Sequence, residues 1–131
     1  MDGSLSDLSR YRLERAREDL RTAKDNLDNR SCRASVNRSY YAIFHALRAV
    51  TALDGFDSSK HSGIIGYINH HYVKTGVFDR TFSKYVDSAF RLREKADYDD
   101  FYVVAMEDAK RQIEHAEAVI AAVEAYVWTR W

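Results

Sequence analysis

Proline is absent from the whole chain of 131 residues, and glycine occurs only five times. Because these two residues are the commonest helix breakers, their scarcity favours long helices joined by short turns. A chain of this length, with 46% apolar residues, suffices for one hydrophobic core and is short for two ordinary domains. We therefore expect a single domain, residues 1–131, with an all-α fold: an antiparallel bundle of about five helices.

Five segments carry the apolar spacing of three and four residues that is typical of amphipathic helices. In the first segment, we assign Arg12 and Asp19 to the charged face that meets solvent. Asn29 and Ser31 are candidate caps for the second segment, and Asp79 is the candidate cap for the fourth. The predicted helices cover residues 5–27, 31–53, 60–74, 79–96 and 100–131.

The formal charge is zero, with 20 basic and 20 acidic residues, so the chain lacks the overall positive charge of a typical duplex-DNA binder. The distribution is uneven, because no acidic residue occurs between positions 29 and 53. Five basic residues lie in that window: Arg30, Arg33, Arg38, His45 and Arg48. This pattern is compatible with a short phosphate contact and does not predict a long groove for duplex DNA.

The sequence shows neither the pattern of a membrane-spanning segment nor that of an export signal. No apolar run approaches the roughly 20 residues that span a bilayer, and the N-terminus lacks a basic and then hydrophobic signal pattern. The single cysteine, Cys32, cannot form an internal disulfide. We expect a cytoplasmic protein that has no membrane partner.

Arg38 and His45 are seven residues apart in the second predicted helix. Seven steps fall about 20° short of two full turns, so the two side chains share a face. Arginine keeps its charge and histidine titrates near neutrality, so both could act on one phosphate. The pair therefore suggests an active site that cleaves RNA without a metal. The alternative is that both residues only make hydrogen bonds at an interface.

In such a site, a neutral His45 would act as general acid or base on the ribose 2′-hydroxyl, while Arg38 would stabilise the charge on the phosphate. Tyr41 lies one turn before His45 and could donate a hydrogen bond or stack on a base. Ser39 could orient the arginine or the phosphate. Arg48, in the same acid-free window, is a further candidate for substrate binding.

The face around Arg38 is rich in alanine where a solvent-facing helix would carry Glu, Lys or Gln. Ala34, Ala42 and Ala49 fall within about 40° of Arg38, opposite the predicted core stripe. Small side chains allow another backbone to come close. We therefore predict a second contact surface here, formed in a symmetric homodimer that would bring two copies of Arg38 and His45 together.

Arg93 is a polar residue on the apolar stripe of the fourth helix and should point inward. A buried arginine needs a partner, and Asp97 follows one turn later, which predicts a structural ion pair. The alternative is that Arg93 or Tyr98 contributes to the Arg38 site.

Metal and cofactor sites have no clear basis in the sequence. His61, His70 and His71 occur without an HExxH motif, paired cysteines or a helical carboxylate ladder, and the chain has no glycine-rich phosphate loop. We expect neither a metal nor a cofactor.

Three stretches together resemble the small HEPN-domain proteins of prokaryotes: RASVNRSYYAIFHALRAV, KHSGIIGYINHHYVKTG and RLREKADYDD. The resemblance covers about residues 30–126. It implies an antiparallel helical bundle that is usually dimeric, often with an R-x(4–6)-H motif that acts as a metal-independent endoribonuclease site at the dimer interface. Arg38 and His45 match that motif, with six residues between them and Ser39 in the position after the arginine.

The same resemblance implies a partner. Many HEPN proteins form a toxin and antitoxin pair with a minimal nucleotidyltransferase. The resemblance therefore implies a ribonuclease toxin with RNA as its substrate. The alternative is a non-catalytic module that binds a nucleotide or the nucleotidyltransferase, with Arg38 as a phosphate anchor.

Overall fold

The computed structural model describes residues 2–131, with side chains from Ser4 onward, and these residues form helices and no strands. The five α-helices are α1 (Asp2–Asp28), α2 (Cys32–Leu53), α3 (His61–Ile68), α4 (Arg80–Tyr98) and α5 (Met106–Val127). The prediction of an all-α bundle of about five helices is therefore confirmed. No helix among the described residues is both long and apolar enough to cross a membrane.

Helix α2 lies at the centre of the bundle, in contact with α1, α3, α4 and α5. Its predicted core stripe is fully buried and includes Tyr40, Ile43 and Leu47. These side chains pack in one cluster with apolar residues of the other helices, among them Ile64 and Val119. Each large apolar side chain that is buried in this way contributes about 1.5–3 kcal/mol, so α2 is held rigidly on several sides.

The turn between α1 and α2 is tight and places Arg30 in the left-handed region, at φ 59°. The backbone N–H of Ser31 donates to the carbonyl of Asn26 at 2.8 Å, which satisfies a carbonyl at the end of α1. Ser31 occupies the N-cap position of α2, but its side chain makes no capping hydrogen bond. The turn reverses the chain, so α1 and α2 form an antiparallel helical hairpin.

Helix α3 continues into a π-helical turn, Asn69–Val73, where a single helix over 60–74 was predicted. The wider turn buries Tyr72, whose hydroxyl donates to Asp54 Oδ2 at 2.5 Å. Asp54 follows the end of α2, so this hydrogen bond ties the α3 region to the central helix.

Helix α5 begins at Met106, six residues later than predicted. The Asp99 side chain accepts the backbone N–H of Phe101 at 3.2 Å and thereby favours a turn over a helix. The chain then extends to bury Val104 in a small cluster with Val36, Ala96 and Ala109. The prediction that α5 starts near Asp100 is wrong because burying Val104 requires an extended backbone there.

Candidate functional site

The seam between α1 and α2 is narrow because small residues line both helices. Ala42 and Ala49 of α2 are fully buried, and so are Ala16 and Ala23 of α1. The Ser9 hydroxyl donates to the Ala49 carbonyl at 2.6 Å, which shows how close the backbones are. The prediction of a free contact surface at Ala42 and Ala49 is therefore wrong, because helix α1 of the same chain covers that surface.

Only Ala34, near the start of α2, remains exposed among the three alanines of that predicted surface. A helical wheel identifies a face that accepts a close neighbour, but it does not say which neighbour. Arg38 and His45 lie opposite the core stripe of α2, as the wheel indicates, but that face packs on α1 of the same chain. Both side chains lie along the α1–α2 seam.

Asp19 of α1 joins the two predicted catalytic residues. Its Oδ1 lies 3.1 Å from Arg38 Nη1, and its Oδ2 lies 3.5 Å from His45 Nε2. The Asp19 side chain is only 10% exposed, and that of His45 is 15% exposed, while Arg38 is 35% exposed. The structure thus brings Arg38 and His45 together as an Arg38–Asp19–His45 cluster at the edge of the seam.

Burial lowers the pKa of His45, and the neighbouring arginines Arg15, Arg48 and Arg38 lower it further, whereas the Asp19 carboxylate opposes them. Burial is the largest cause, because a charged imidazole loses its hydration there. The net direction favours the neutral imidazole near pH 7. A neutral ring can accept a proton, so His45 is suited to the role of a general base.

Arg38 is oriented by α2 itself as well as by Asp19. Its Nε and Nη2 donate to Asn37 Oδ1 at 3.1 and 2.7 Å. The guanidinium also lies over the ring of Tyr41, 5.0 Å from its centroid, in cation–π geometry. A groove of about 420 Å³ opens beside it, lined by residues that include Asn37, Arg38 and Asp97. Arg38 is thus both fixed in position and open to solvent.

The other predicted site residues have different surroundings. Tyr41 is half-buried beside His45, with ring centroids 6.3 Å apart. Ser39 is fully buried, and its hydroxyl has no hydrogen-bond partner among the described residues, so the structure does not bring it to Arg38. Arg48 does not contact Asp19. Its Nη2 instead donates to Asp57 Oδ1 at 3.1 Å.

Arg93 of α4 is buried, and its Nη1 lies 3.4 Å from Asp97 Oδ2. Its guanidinium lies over the Tyr40 ring, 4.6 Å from the centroid. Asp97 also accepts a hydrogen bond from Asn37 at 3.4 Å. A polar chain therefore crosses the surface of α2 from the Arg38–Asp19–His45 cluster to Arg93.

Comparison with known proteins identifies the family. The family model of the HEPN domain matches residues 9–126. The chain belongs to the HEPN family. The sequence resemblance is thereby confirmed, and the HEPN match includes both helices that form the Arg38–Asp19–His45 cluster.

Several HEPN relatives are similar over most of their length. A UPF0332 protein of Thermotoga maritima is 36% identical over 114 residues, which cover 87% of this chain and 86% of the relative. A protein of Methanocaldococcus jannaschii that is named "Putative toxin" is 31% identical over 115 residues, covering 88% and 80%. A second protein with that name from the same organism is 26% identical over 98 residues, covering 75% and 67%.

Sequence reasoning missed Asp19, which joins the two catalytic candidates of this HEPN chain. A signal was present, because Asp19 and Arg12 lie on the same three- and four-residue spacing as Ser9, Ala16 and Ala23. All five residues are buried along the seam. The assignment of Arg12 and Asp19 to the solvent face is therefore wrong.

Sequence reasoning also did not identify Asp57 and His61 as neighbours of α2, the helix that carries Arg38 and His45. They follow α2 in the chain, and nothing in the spacing of the sequence shows that their loop folds back onto Arg48.

Among the described residues, no group of three or more His, Cys, Asp or Glu side chains is arranged to hold a metal ion.

Proposed function

We propose that this HEPN protein is a metal-independent endoribonuclease and the toxin of a toxin–antitoxin pair, acting in the cytoplasm. The observation that carries the proposal is the Arg38–Asp19–His45 cluster. In it, a neutral imidazole lies 3.5 Å and a partly exposed guanidinium 3.1 Å from one carboxylate, and the guanidinium also lines a groove. General base and phosphate stabiliser are thus adjacent, as RNA cleavage through the 2′-hydroxyl requires.

In the proposed reaction, His45 takes the proton of the ribose 2′-hydroxyl, and the 2′ oxygen then attacks the phosphorus. The P–O5′ bond breaks, which leaves a 2′,3′-cyclic phosphate, and the 5′ oxygen takes a proton from the protonated His45 or from water and becomes a 5′-hydroxyl. Arg38 stabilises the negative charge that develops on the phosphate oxygens. Asp19 serves as a positioning residue in this proposal, because its carboxylate binds Arg38 at 3.1 Å and lies 3.5 Å from His45.

The toxin role is supported by the names of two relatives, which carry the word toxin. HEPN toxins are commonly paired with a minimal nucleotidyltransferase, and we propose such a protein as the antitoxin. Co-expression tests this role. The chain alone should arrest growth of a bacterial host, the His45→Ala variant should not, and a nucleotidyltransferase encoded next to it should relieve the arrest.

We further propose a homodimer that uses the exposed segment between α4 and α5 instead of the alanine face. Tyr98, Phe101 and Val103 are highly exposed apolar residues. They follow directly after Asp97, which lines the groove beside Arg38. Light scattering should give a dimer mass for the wild type and a monomer mass for Phe101→Asp. Val77→Asp, a change at an exposed apolar residue elsewhere, should remain dimeric.

One observation favours a second function, a non-catalytic module that binds a nucleotide or a partner protein. All three guanidinium nitrogens of Arg38 already donate to protein oxygens, on Asn37 and Asp19. An arginine that is bound in this way can anchor a phosphate through its remaining N–H groups without taking part in catalysis.

Cleavage of several RNAs in the presence of a chelator separates the two functions. The wild type should cleave, whereas His45→Ala and Arg38→Ala should each lose about a hundredfold or more in rate. His70→Ala provides the matched control, because His70 is exposed in the π-helical turn. Equal, negligible cleavage by the wild type and His45→Ala would reject the ribonuclease function. Loss of RNA binding in Arg38→Ala alone would then support the non-catalytic module, in which Arg38 anchors a phosphate.

A further inference from the structure

A second polar cavity lies farther along α2 than Asn37, towards the C-terminal end of that helix. It has a volume of about 510 Å³ and is lined by Phe44, Arg48, Asp57, Ser58, Ser59 and His61. We call it the Arg48 pocket. Arg48 follows His45 by three residues on α2, and Phe44 directly precedes His45. The Arg48 pocket therefore adjoins the Arg38–Asp19–His45 cluster.

The Arg48 pocket carries a local excess of positive charge. Arg48 Nη2 lies 3.1 Å from Asp57 Oδ1, and Arg12 Nη2 lies 3.8 Å from Asp57 Oδ2. Two guanidiniums thus share one carboxylate. The Nε of Arg48 is buried and has no hydrogen-bond partner within the described part of the chain. One positive charge remains for an anion to neutralise.

His61 supplies a neutral hydrogen-bond donor in the same pocket. Its Nδ1 lies 2.8 Å from the hydroxyl of Tyr40. Burial raises the pKa of Tyr40, so this phenol keeps its proton, and burial lowers the pKa of His61, which favours the neutral ring. In the tautomer that accepts the Tyr40 proton at Nδ1, the ring proton lies on Nε2, the nitrogen that does not face Tyr40.

The loop that closes the Arg48 pocket is seated firmly. The backbone N–H of Ser58 donates to Asp57 Oδ1 at 2.8 Å, and the Ser58 hydroxyl accepts the backbone N–H of Lys60 at 3.2 Å. A Cβ at position 63 would clash with the Ser58 hydroxyl, so Gly63 allows this close approach. The Ser58 hydroxyl is therefore held in place, and Ser59 also lines the cavity.

Two aromatic rings lie between the Arg48 pocket and the cluster. The ring of Phe44 is 4.1 Å from that of His61 and 6.2 Å from that of His45, between centroids. The ring of Tyr41 is 5.8 Å from His61 and 6.3 Å from His45. Aromatic side chains beside a cationic groove are the usual elements of single-stranded nucleic-acid binding.

We infer that the Arg48 pocket binds a backbone phosphate of single-stranded RNA, next to the phosphate that the Arg38–Asp19–His45 cluster cleaves. The inference rests on the proposed ribonuclease function for its choice of ligand. Arg48 provides the charge, His61 Nε2 and the serine hydroxyls provide hydrogen bonds, and Asp57 is the anion that the phosphate displaces. Asp57 suits that role because its side chain is 59% exposed and lies in a loop.

Binding of a short 2′-O-methyl RNA oligonucleotide tests this inference separately from cleavage, because the blocked 2′ oxygen cannot attack. Affinity is measured by fluorescence anisotropy over a range of salt concentrations. Arg48→Gln should weaken binding and reduce the slope of log K against log salt by about 0.7, the value for one lost phosphate contact. Arg48→Lys should retain the slope.

The neighbouring residues sharpen the test. His61→Phe keeps an aromatic ring but removes the neutral donor, so it should weaken binding about threefold to tenfold and leave the salt slope unchanged. Asp57→Asn removes the competing anion and should tighten binding about threefold or more. Arg91→Gln is the matched control, because Arg91 is an exposed arginine on α4 that is also paired with an aspartate. It should change neither quantity.

The inference is overturned if Arg48→Gln keeps the wild-type salt slope while Arg38→Ala reduces it, or if Asp57→Asn binds no more tightly. Thermal unfolding of each variant establishes that it is folded. Wild-type protein that binds the oligonucleotide with the expected Arg48 dependence, yet cleaves no RNA, supports the Arg48 pocket and rejects the proposed ribonuclease. Wild-type protein that cleaves RNA, but binds the oligonucleotide without the expected Arg48 dependence, supports the proposed ribonuclease and rejects the Arg48 pocket.

Discussion

Two aspartates on the α1 side of helix α2 each lie between two basic side chains, but their surroundings differ. Asp19 is on a helix, 10% exposed, and joins Arg38 to His45. Asp57 is in a loop, 59% exposed, and joins Arg12 to Arg48. A buried carboxylate on a rigid element fixes the groups around it, whereas an exposed one can yield its partner to a ligand. Asp19 is therefore suited to positioning Arg38 and His45, whereas Asp57 is suited to releasing its arginine partner to a ligand.

The largest effect is expected from Asp19→Asn. This change removes the charge that holds Arg38 and His45, and it should lower the free energy of unfolding by about 2–3 kcal/mol. If Asp19 acts by positioning, cleavage should fall and its pH profile should shift as well, since His45 loses the carboxylate that opposes its lowered pKa. Urea denaturation and pH–rate profiles measure the two effects. A loss of stability no greater than that of Asp57→Asn would remove the contrast.

The second effect concerns the α1–α2 seam, along which Asp19 lies. Ala42→Leu should cost about 1–2 kcal/mol of unfolding free energy, because the larger side chain is forced between two close helices. Ala34→Leu, the matched change at an exposed position, should stay within about 0.5 kcal/mol of the wild type. Urea denaturation measures both. A dimer that dissociates in Ala42→Leu while the monomer keeps its stability would restore the alanine surface as an intermolecular interface.

The third effect is the pH dependence of stability. The pKa of His45 is lowered in the folded state, so between that value and about 6.5 the unfolded chain binds more protons than the folded one. The free energy of unfolding should therefore have its full value above this pH range and should decrease as the pH falls through the range. Burial lowers the pKa of His61 and His115 as well, so the comparison of wild type with His45→Gln isolates one histidine. Unfolding free energies measured across the window should fall less steeply in the variant, and parallel curves would contradict the assignment.

The smallest effect is expected from Asp57→Asn. Its own carboxylate is 59% exposed, and water screens its ion pairs with Arg48 and with the largely buried Arg12, so their loss should change the unfolding free energy by less than about 1 kcal/mol. The same urea series used for Asp19→Asn provides the measurement. A cost equal to that of Asp19→Asn would mean that the Asp57 loop is a structural clamp, and displacement by a phosphate would then be excluded.

Much of the fold follows from local patterns in the sequence. The spacing of Tyr40, Ile43 and Leu47 predicts the buried stripe of α2, and the absence of proline predicts the long helices. The start of α5 was misplaced because burial of Val104 depends on Val36, which is distant in the chain. Local patterns therefore predict which segments are helical more reliably than where each helix begins.

The candidate site could be predicted only in part. The spacing of Arg38 and His45 identified two groups on one helical face, but their common partner lies on another helix. Asp19 resembled a solvent-facing charge because the apolar stripe of α1 is interrupted by polar residues. Its role depends on how α1 docks against α2, which is a tertiary contact that a single helical wheel does not contain.

The tight turn at Arg30 has a kinetic consequence. It joins α1 directly to α2, so Asp19, Arg38 and His45 all belong to one helical hairpin, in which no other helix comes between them in the chain. Contacts at short sequence separation close quickly, because little loop entropy is lost. During synthesis this cluster can assemble once the hairpin has left the ribosome, before α4 and α5 exist, whereas the Arg48 pocket must wait for the segment that carries Asp57 and His61.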